Sequence, residues 1–255
     1  MIHKTLRYLK TAHQLRKLFL DLDLSGHSVV ELGTYHELMH EAKRLHASVY
    51  LERKFVSPEH VTEEGHLSKT ADPHQTHSYY FAVVSKGSAK IIAVSRQIEH
   101  TGDKYLRSFP ILEKAEIYER YKTYIAKCPA DMIVEISGLA KQRGTSQVAP
   151  LLLYRAMWQR SLRLNHGLWL MACDVRLYER LKLMFGPAIV QIGKVTTYQG
   201  GDVIPALVRP AQALTELKHF THQKAYLNKK MRKGIYTFFS EGLTTMDKRA
   251  SGGAK

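Results

Sequence analysis

Cysteine is scarce: Cys128 and Cys173 are the only two in 255 residues, which leaves no basis for a disulfide framework. Neither stands in a CxxC or Cys/His ligand spacing, so a structural zinc site is not expected. Cys173, inside an apolar run, reads as a small buried hydrophobe rather than a nucleophile. Long apolar runs are missing too. Leu168 to Cys173 and Ile91 to Val94 fall far short of the roughly 20 residues a membrane-spanning helix needs. The N-terminal stretch lacks the uncharged centre of a secretory signal, because Lys4, Arg7, Lys10, Arg16 and Lys17 interrupt its leucines. A cytoplasmic protein is expected, at most attached peripherally to the inner face of a membrane. No internal repeat is visible. The fourteen histidines read as surface and capping residues, and no metal is assigned.

What is present is a 44% hydrophobic fraction, enough for a packed core of one large domain or two small ones. The formal charge of +15 calls for attraction to a polyanion: nucleic acid, an anionic membrane or an acidic protein. No helix-turn-helix, zinc finger or aromatic RNP pattern accompanies the basic residues, so a nucleic-acid-binding module without catalysis stays the alternative of a different class.

Leucines at helical intervals predict a basic amphipathic helix in residues 1–26, ended by Ser25-Gly26-His27. Further helices are expected over Glu37 to Phe55, Leu112 to Ile125, Ala149 to Leu164 and Val175 to Phe185. Strands are expected at Val29 to Gly33, Tyr79 to Val84, Ile91 to Ile98, Met132 to Ala140, Leu168 to Cys173, Ala188 to Ile192 and Val203 to Val208. The polar stretch Ser57 to Thr76 reads as a long loop over a site. An antiparallel meander followed by strand–loop–helix–strand–helix–strand implies an α/β (α+β) domain over residues 27–210, with a mixed central sheet flanked by helices. Residues 211–255 carry nine Lys/Arg against three acids and form a basic helical extension with a disordered-looking tail from Arg249. Lys229 to Lys233, followed by Ile235, Tyr236, Phe238 and Phe239, is compatible with attachment to a membrane surface, or with a solvated charged face.

The segment VEISGLAKQRGTSQVAPLLLYRAMWQR resembles the acyl-donor motif of the GNAT superfamily of N-acyltransferases, a strand ending in a glycine-containing loop that opens a helix. First-turn amides and the helix dipole favour a phosphate there. AKRLHASVYLERKF resembles a helix reading R-x-x-V-Y, AVSRQIE a strand reading G-x-x-R-L, VEISGLA the motif E-x-S-R-L-A, CDVRLYERL a tyrosine-bearing helix and TYQGGDVIPALV a closing Y-x-G-x-x-V-P strand. As an ordered series over residues 37–210 these resemble the branch containing long-chain N-acyl amino acid synthases and acyl-homoserine-lactone autoinducer synthases. The resemblance implies the GNAT acyl-CoA N-acyltransferase fold. It implies an acyltransferase moving a fatty acyl group from acyl-phosphopantetheine, on acyl carrier protein or coenzyme A, to the amine of an amino acid or related small molecule. No permanently bound cofactor is expected.

The resemblance assigns donor binding to Gly138, Leu139, Ala140, Lys141, Arg143, Gly144, Thr145 and Ser146. The loop carries one glycine, which suits a single phosphate on an acidic carrier protein, and that partner would also answer the basic charge. Gly138 stands where the branch has an arginine, and Asp72 where autoinducer synthases present a pair of acids; both groups help hold adenosyl-methionine in that family. The acceptor position therefore falls to Asp72 and Arg96, and the autoinducer product becomes the second reading. Arg96 has a guanidinium fork suited to an amino-acid carboxylate. Glu135, on the donor strand, is the candidate general base, or else a structural partner of Arg96. Tyr178 would protonate the departing thiolate as in relatives, with Tyr198 a second phenol nearby. Trp158, Trp169, Met157, Met171 and Met184 form either an acyl tunnel or ordinary core.

Overall fold

A computed structural model describes residues 9–16, 23–33, 36–100, 109–198, 201–219, 227 and 229–241. The tail from Arg249, and Leu6, Leu18 and Phe19 of the expected first helix, lie outside the described residues. Residues 9–16 (α1) are helical. The helices that follow are α2 (Met39–Glu52), α3 (Pro110–Lys114), α4 (Glu119–Ala126), α5 (Ala149–Arg163), α6 (Val175–Phe185), α7 (Pro210–His219) and α8 (Lys229–Ser240). The strands are β1 (His27–Gly33), β2 (Ser78–Ser85), β3 (Ile91–Glu99), β4 (Ile133–Lys141), β5 (Leu168–Asp174), β6 (Ile189–Gln191), β7 (Thr196–Tyr198) and β8 (Gly201–Val208).

They form one sheet in the order β1-β2-β3-β4-β5-β8-β6, with β7 hydrogen-bonded to β8. Every pairing is antiparallel except β4 with β5. Because strand side chains alternate between faces, each strand feeds two cores. On one face Phe81, Val134, Trp169 and Val208 meet α1, α5, α6, α7 and α8. On the other, Tyr80, Ala82 and Val94 pack under α2, while Ile133, Leu170 and Leu207 pack under α3 and α4. Between those two helical covers the second face is left to the long loop of residues 53–77, and Arg96 and Glu135 lie on it.

The parallel β4–β5 ladder runs only from Ile133↔Leu168 to Ile136↔Met171. Beyond it the strands part: β4 continues beside β3, and β5 beside β8. A bulge marks the point of departure. Two residues, Gly138 and Leu139, lie between the pairs Arg96↔Ser137 and Val94↔Ala140 where β3 has one, and Gly138 takes φ +64°. A Cβ there would lie 3.1 Å from His46 Cε1 and 3.3 Å from Arg96 Nε, so both backbone and packing call for glycine.

Three expectations change. The helix expected over Leu112 to Ile125 is two helices, because Ala115 is extended and Ile117 bridges to Gly193. The short strand β7 was not expected. The apolar residues of the basic extension are not a membrane face: Ile235, Phe238 and Phe239 are buried in the main core, with Phe239 5.1 Å from Trp158 and 5.4 Å from Phe185. Among the described residues no helix is long and apolar enough to cross a membrane.

Candidate active site

Two adjoining clefts share Tyr50, Phe55 and Tyr198. The outer one, of about 980 Å³, lies between α2, α3 and the 53–77 loop, with Arg96 and Asp72 in its wall. The inner one, of about 220 Å³, is the gap where β4 and β5 part, lined by Glu135, Ser137, Gly138, Leu139, Tyr154, Met171 and Asp174.

Glu135 is 1% exposed and accepts a hydrogen bond from the Ile111 amide at 3.0 Å. Burial pushes its pKa up to about 8, against the opposing pull of that amide and of the Arg96 charge. Such a carboxyl exchanges its proton near neutrality. It is not the partner of Arg96: Nη1 and Nη2 of Arg96 donate to Oδ2 and Oδ1 of Asp72 at 2.6 and 2.8 Å, and Nη1 also reaches the Tyr80 hydroxyl at 3.1 Å. Burial works against both charges, yet Arg96 holds the Asp72 carboxyl below its ordinary value, and Tyr80 and Asp72 hold the guanidinium above its own. The two acceptor candidates of the sequence thus bind each other and pin the 53–77 loop to the sheet.

His46 sits against this pair. Burial, reinforced by the Arg96 charge, lowers its pKa to about 3, so the ring is neutral, and neither its Nε2 nor Arg96 Nε has a hydrogen-bond partner among the described residues. His46 also stacks edge-on against Tyr50, 4.2 Å between centroids. The sequence reading had placed the histidines at the surface; the i, i+4 spacing of His46 and Tyr50 on α2 was the signal that both share one face.

The donor-loop residues divide. Gly138 and Leu139 line the inner cleft, whereas Ala140 is fully buried under α2 and lines neither cleft. Lys141 is turned into the loop, its Nζ donating to the Thr145 carbonyl at 2.9 Å, so it braces the turn rather than presenting a free charge. Arg143 is 90% exposed, 3.8 Å from Glu52. Gly144 takes φ +77°, the Thr145 hydroxyl donates to the Gln142 carbonyl at 2.6 Å, and Ser146 Oγ accepts from the Val148 amide at 3.1 Å. Tyr178 packs at the edge of the main core and lines neither cleft. Tyr198 lines both; burial and the nearby Glu135 raise its pKa, so it stays protonated. Of the expected tunnel residues, Met171 alone lines one of these two clefts; the others are core, with Trp158 and Trp169 centroids 6.0 Å apart. Among the described residues no three His, Cys, Asp or Glu side chains gather as a metal site.

No protein-family model and no curated protein matches the sequence. Solved structures match over most of the chain. FeeM, an N-acyl amino acid synthase from uncultured soil microbes, shares 10% identity over 76% of this chain and 98% of its own, with a TM-score of 0.55. BjaI, a CoA-dependent acyl-homoserine lactone synthase solved with MTA, shares 15% identity over 80% of this chain and 93% of its own, TM-score 0.55. The AHL synthase LasI shares 17% over 72% and 90%, TM-score 0.51. The chain has the fold these synthases share, the one its motifs implied.

Proposed function

We propose that this protein is an N-acyltransferase that moves an acyl group from a phosphopantetheine thioester to the amine of a small molecule. The observation that carries the reading is Glu135: a fully buried carboxyl with a pKa of about 8, on β4 at the point where β4 and β5 part. A gap of this kind offers a thioester two strand edges, and its backbone N–H groups at Gly138 and Leu139 are donors for pantetheine amides and for the oxyanion. The amine enters from the outer cleft. Glu135 takes its proton directly or through water, the nitrogen attacks the thioester carbonyl, and the tetrahedral intermediate collapses with loss of thiolate. Tyr198, which borders both clefts and keeps its proton, delivers that proton to the sulfur and recovers one from the attacking nitrogen, which sheds its second proton as the amide forms; this moves the acid role from Tyr178.

The donor is acyl carrier protein or coenzyme A. The basic chain of +15 favours the acidic carrier, while CoA dependence of the similar BjaI favours the other. Amino acids are the acceptors we favour over adenosyl-methionine, because the Gly138 position leaves no room for the arginine of the E-x-S-R motif beside His46 and Arg96. Incubating the purified protein with octanoyl thioesters of carrier protein and of coenzyme A, plus the amino acids, tests the reading by mass spectrometry for N-octanoyl products and by free-thiol release. Absence of amide with both donors refutes it.

A further inference from the structure

Three Lys and Arg side chains line the outer cleft, and two are already neutralised. Arg96 is bound by both oxygens of Asp72, and Lys114 Nζ lies 3.1 Å from Glu113. The third, Lys54, has no ion-pair or hydrogen-bond partner for its ammonium among the described residues.

Its backbone is unusual as well. α2 ends in a Schellman motif: the Phe55 amide donates to the Tyr50 carbonyl at 2.9 Å, the Lys54 amide to Leu51 at 3.0 Å, and the Phe55 and Tyr50 rings meet edge-on at 5.4 Å. The residue at the turn of this motif is left-handed and is usually glycine, since a Cβ there is strained; here it is lysine at φ +59°. The turn aims Phe55 at the junction of the two clefts and places Lys54 on the outer wall. Lys54 is exposed, so its ammonium is hydrated and available to a ligand in the cleft, and its left-handed backbone marks a position set by more than local stability.

We propose that Lys54 is the specificity-determining residue for the acceptor, pairing with its carboxylate, so that the acceptors of this enzyme are amino carboxylic acids rather than uncharged amines. This rests on the N-acyltransferase reading. It also moves carboxylate recognition from Arg96, whose fork is occupied, to the end of α2. An incoming carboxylate then docks without breaking the buried Arg96–Asp72 pair, which would be costly.

The test compares free amino acids with the corresponding amino acid amides as acceptors of the octanoyl thioesters, in wild type, Lys54→Gln, Lys54→Arg and Lys54→Gly. Lys54→Gln should raise the acceptor KM roughly ten-fold for the acids and less than about three-fold for the amides, with Lys54→Arg recovering most of the loss. Lys54→Gly should show the same loss while melting no lower than wild type, because glycine relieves the left-handed turn. Equal effects on acids and amides, or none, overturn the proposal. If no thioester yields an amide, the N-acyltransferase reading fails separately, and thermal shift decides for the site. Stabilisation of wild type by the amino acids but not by their amides, lost in Lys54→Gln, keeps Lys54 as a carboxylate anchor; no such stabilisation removes it.

Discussion

Glu135→Gln is expected to make the protein more stable and slower at once. The folded carboxyl titrates at about 8 and the unfolded one at 4.5. A folded pKa raised above the unfolded value means that Glu135's contribution is fully favourable below pH 4.5. That contribution is lost as pH rises toward 8, because the unfolded chain releases a proton that the folded chain retains. At pH 7 this amounts to on the order of 3 kcal/mol, taking about 1.4 kcal/mol per unit. Glutamine keeps the shape and can still accept from the Ile111 amide, yet never has to ionise. The variant should therefore melt higher by roughly 6 to 12 °C at pH 7, with the gap closing as pH falls toward 4.5. Its kcat should drop by roughly 10²-fold or more, the range a general base supplies. The wild-type rate should climb with pH through about 8, and the variant should lack that limb. Melting curves by circular dichroism from acid to mildly alkaline pH, with thiol-release kinetics alongside, measure both. A variant with the same pH slope of stability as wild type would show that the carboxyl does not titrate in this window. A variant with kcat within a few-fold of wild type would remove Glu135 as the base.

Asp72→Asn leaves the buried Arg96 charge uncompensated and should lower unfolding stability by roughly 3 to 5 kcal/mol in urea titrations; a loss under about 1 kcal/mol would mean that the pair does not tie the loop to the sheet. Tyr198→Phe should lower kcat about ten-fold while Tyr178→Phe stays within about three-fold, since only the first borders both clefts; the reverse order would restore Tyr178 as the acid. Phe239→Ala should cost roughly 3 to 5 kcal/mol, as befits a fully buried ring packed on Trp158 and Phe185. An unchanged melting temperature would show α8 to be dispensable to the core.

Every strand except β7 was readable from sequence, because each either alternates or, like β3 with Ile91 to Val94, carries an apolar run and is buried on both faces. The break between α3 and α4 was hidden because Ile117, inside it, keeps helical spacing with Tyr121 and Tyr124 beyond it. Its cause is distant: Gly193 approaches the Glu116 carbonyl so closely that a Cβ would lie 2.5 Å away. Glu135 could be found as an acid on the donor strand, but its environment could not, since the amide that meets it comes from Ile111, 24 positions earlier. The partner of Arg96 was obscured for the same reason, Asp72 belonging to a loop without periodicity. In α8 the apolar stripe was legible and its destination was not, because the same stripe suits a membrane surface or a core. Lys54 gave no signal as a type; what distinguishes it is the handedness of its backbone.

The aromatic cluster beneath α5 has an optical consequence. Trp158 and Trp169 are the only two tryptophans, and both are buried. The Trp169 indole donates to Ser161 Oγ at 2.7 Å, whereas Trp158 Nε1 has no partner among the described residues and its ring faces Phe185 and Phe239. An unbonded indole in apolar surroundings emits at shorter wavelength than a hydrogen-bonded one, so the native emission band is composite. Lifting α8 off the core would wet Trp158 first and shift the blue component red while Trp169 stays unchanged. The protein thus carries its own fluorophore for the docking of its last described helix, and undocking of α8 can be followed apart from unfolding of the sheet without any label.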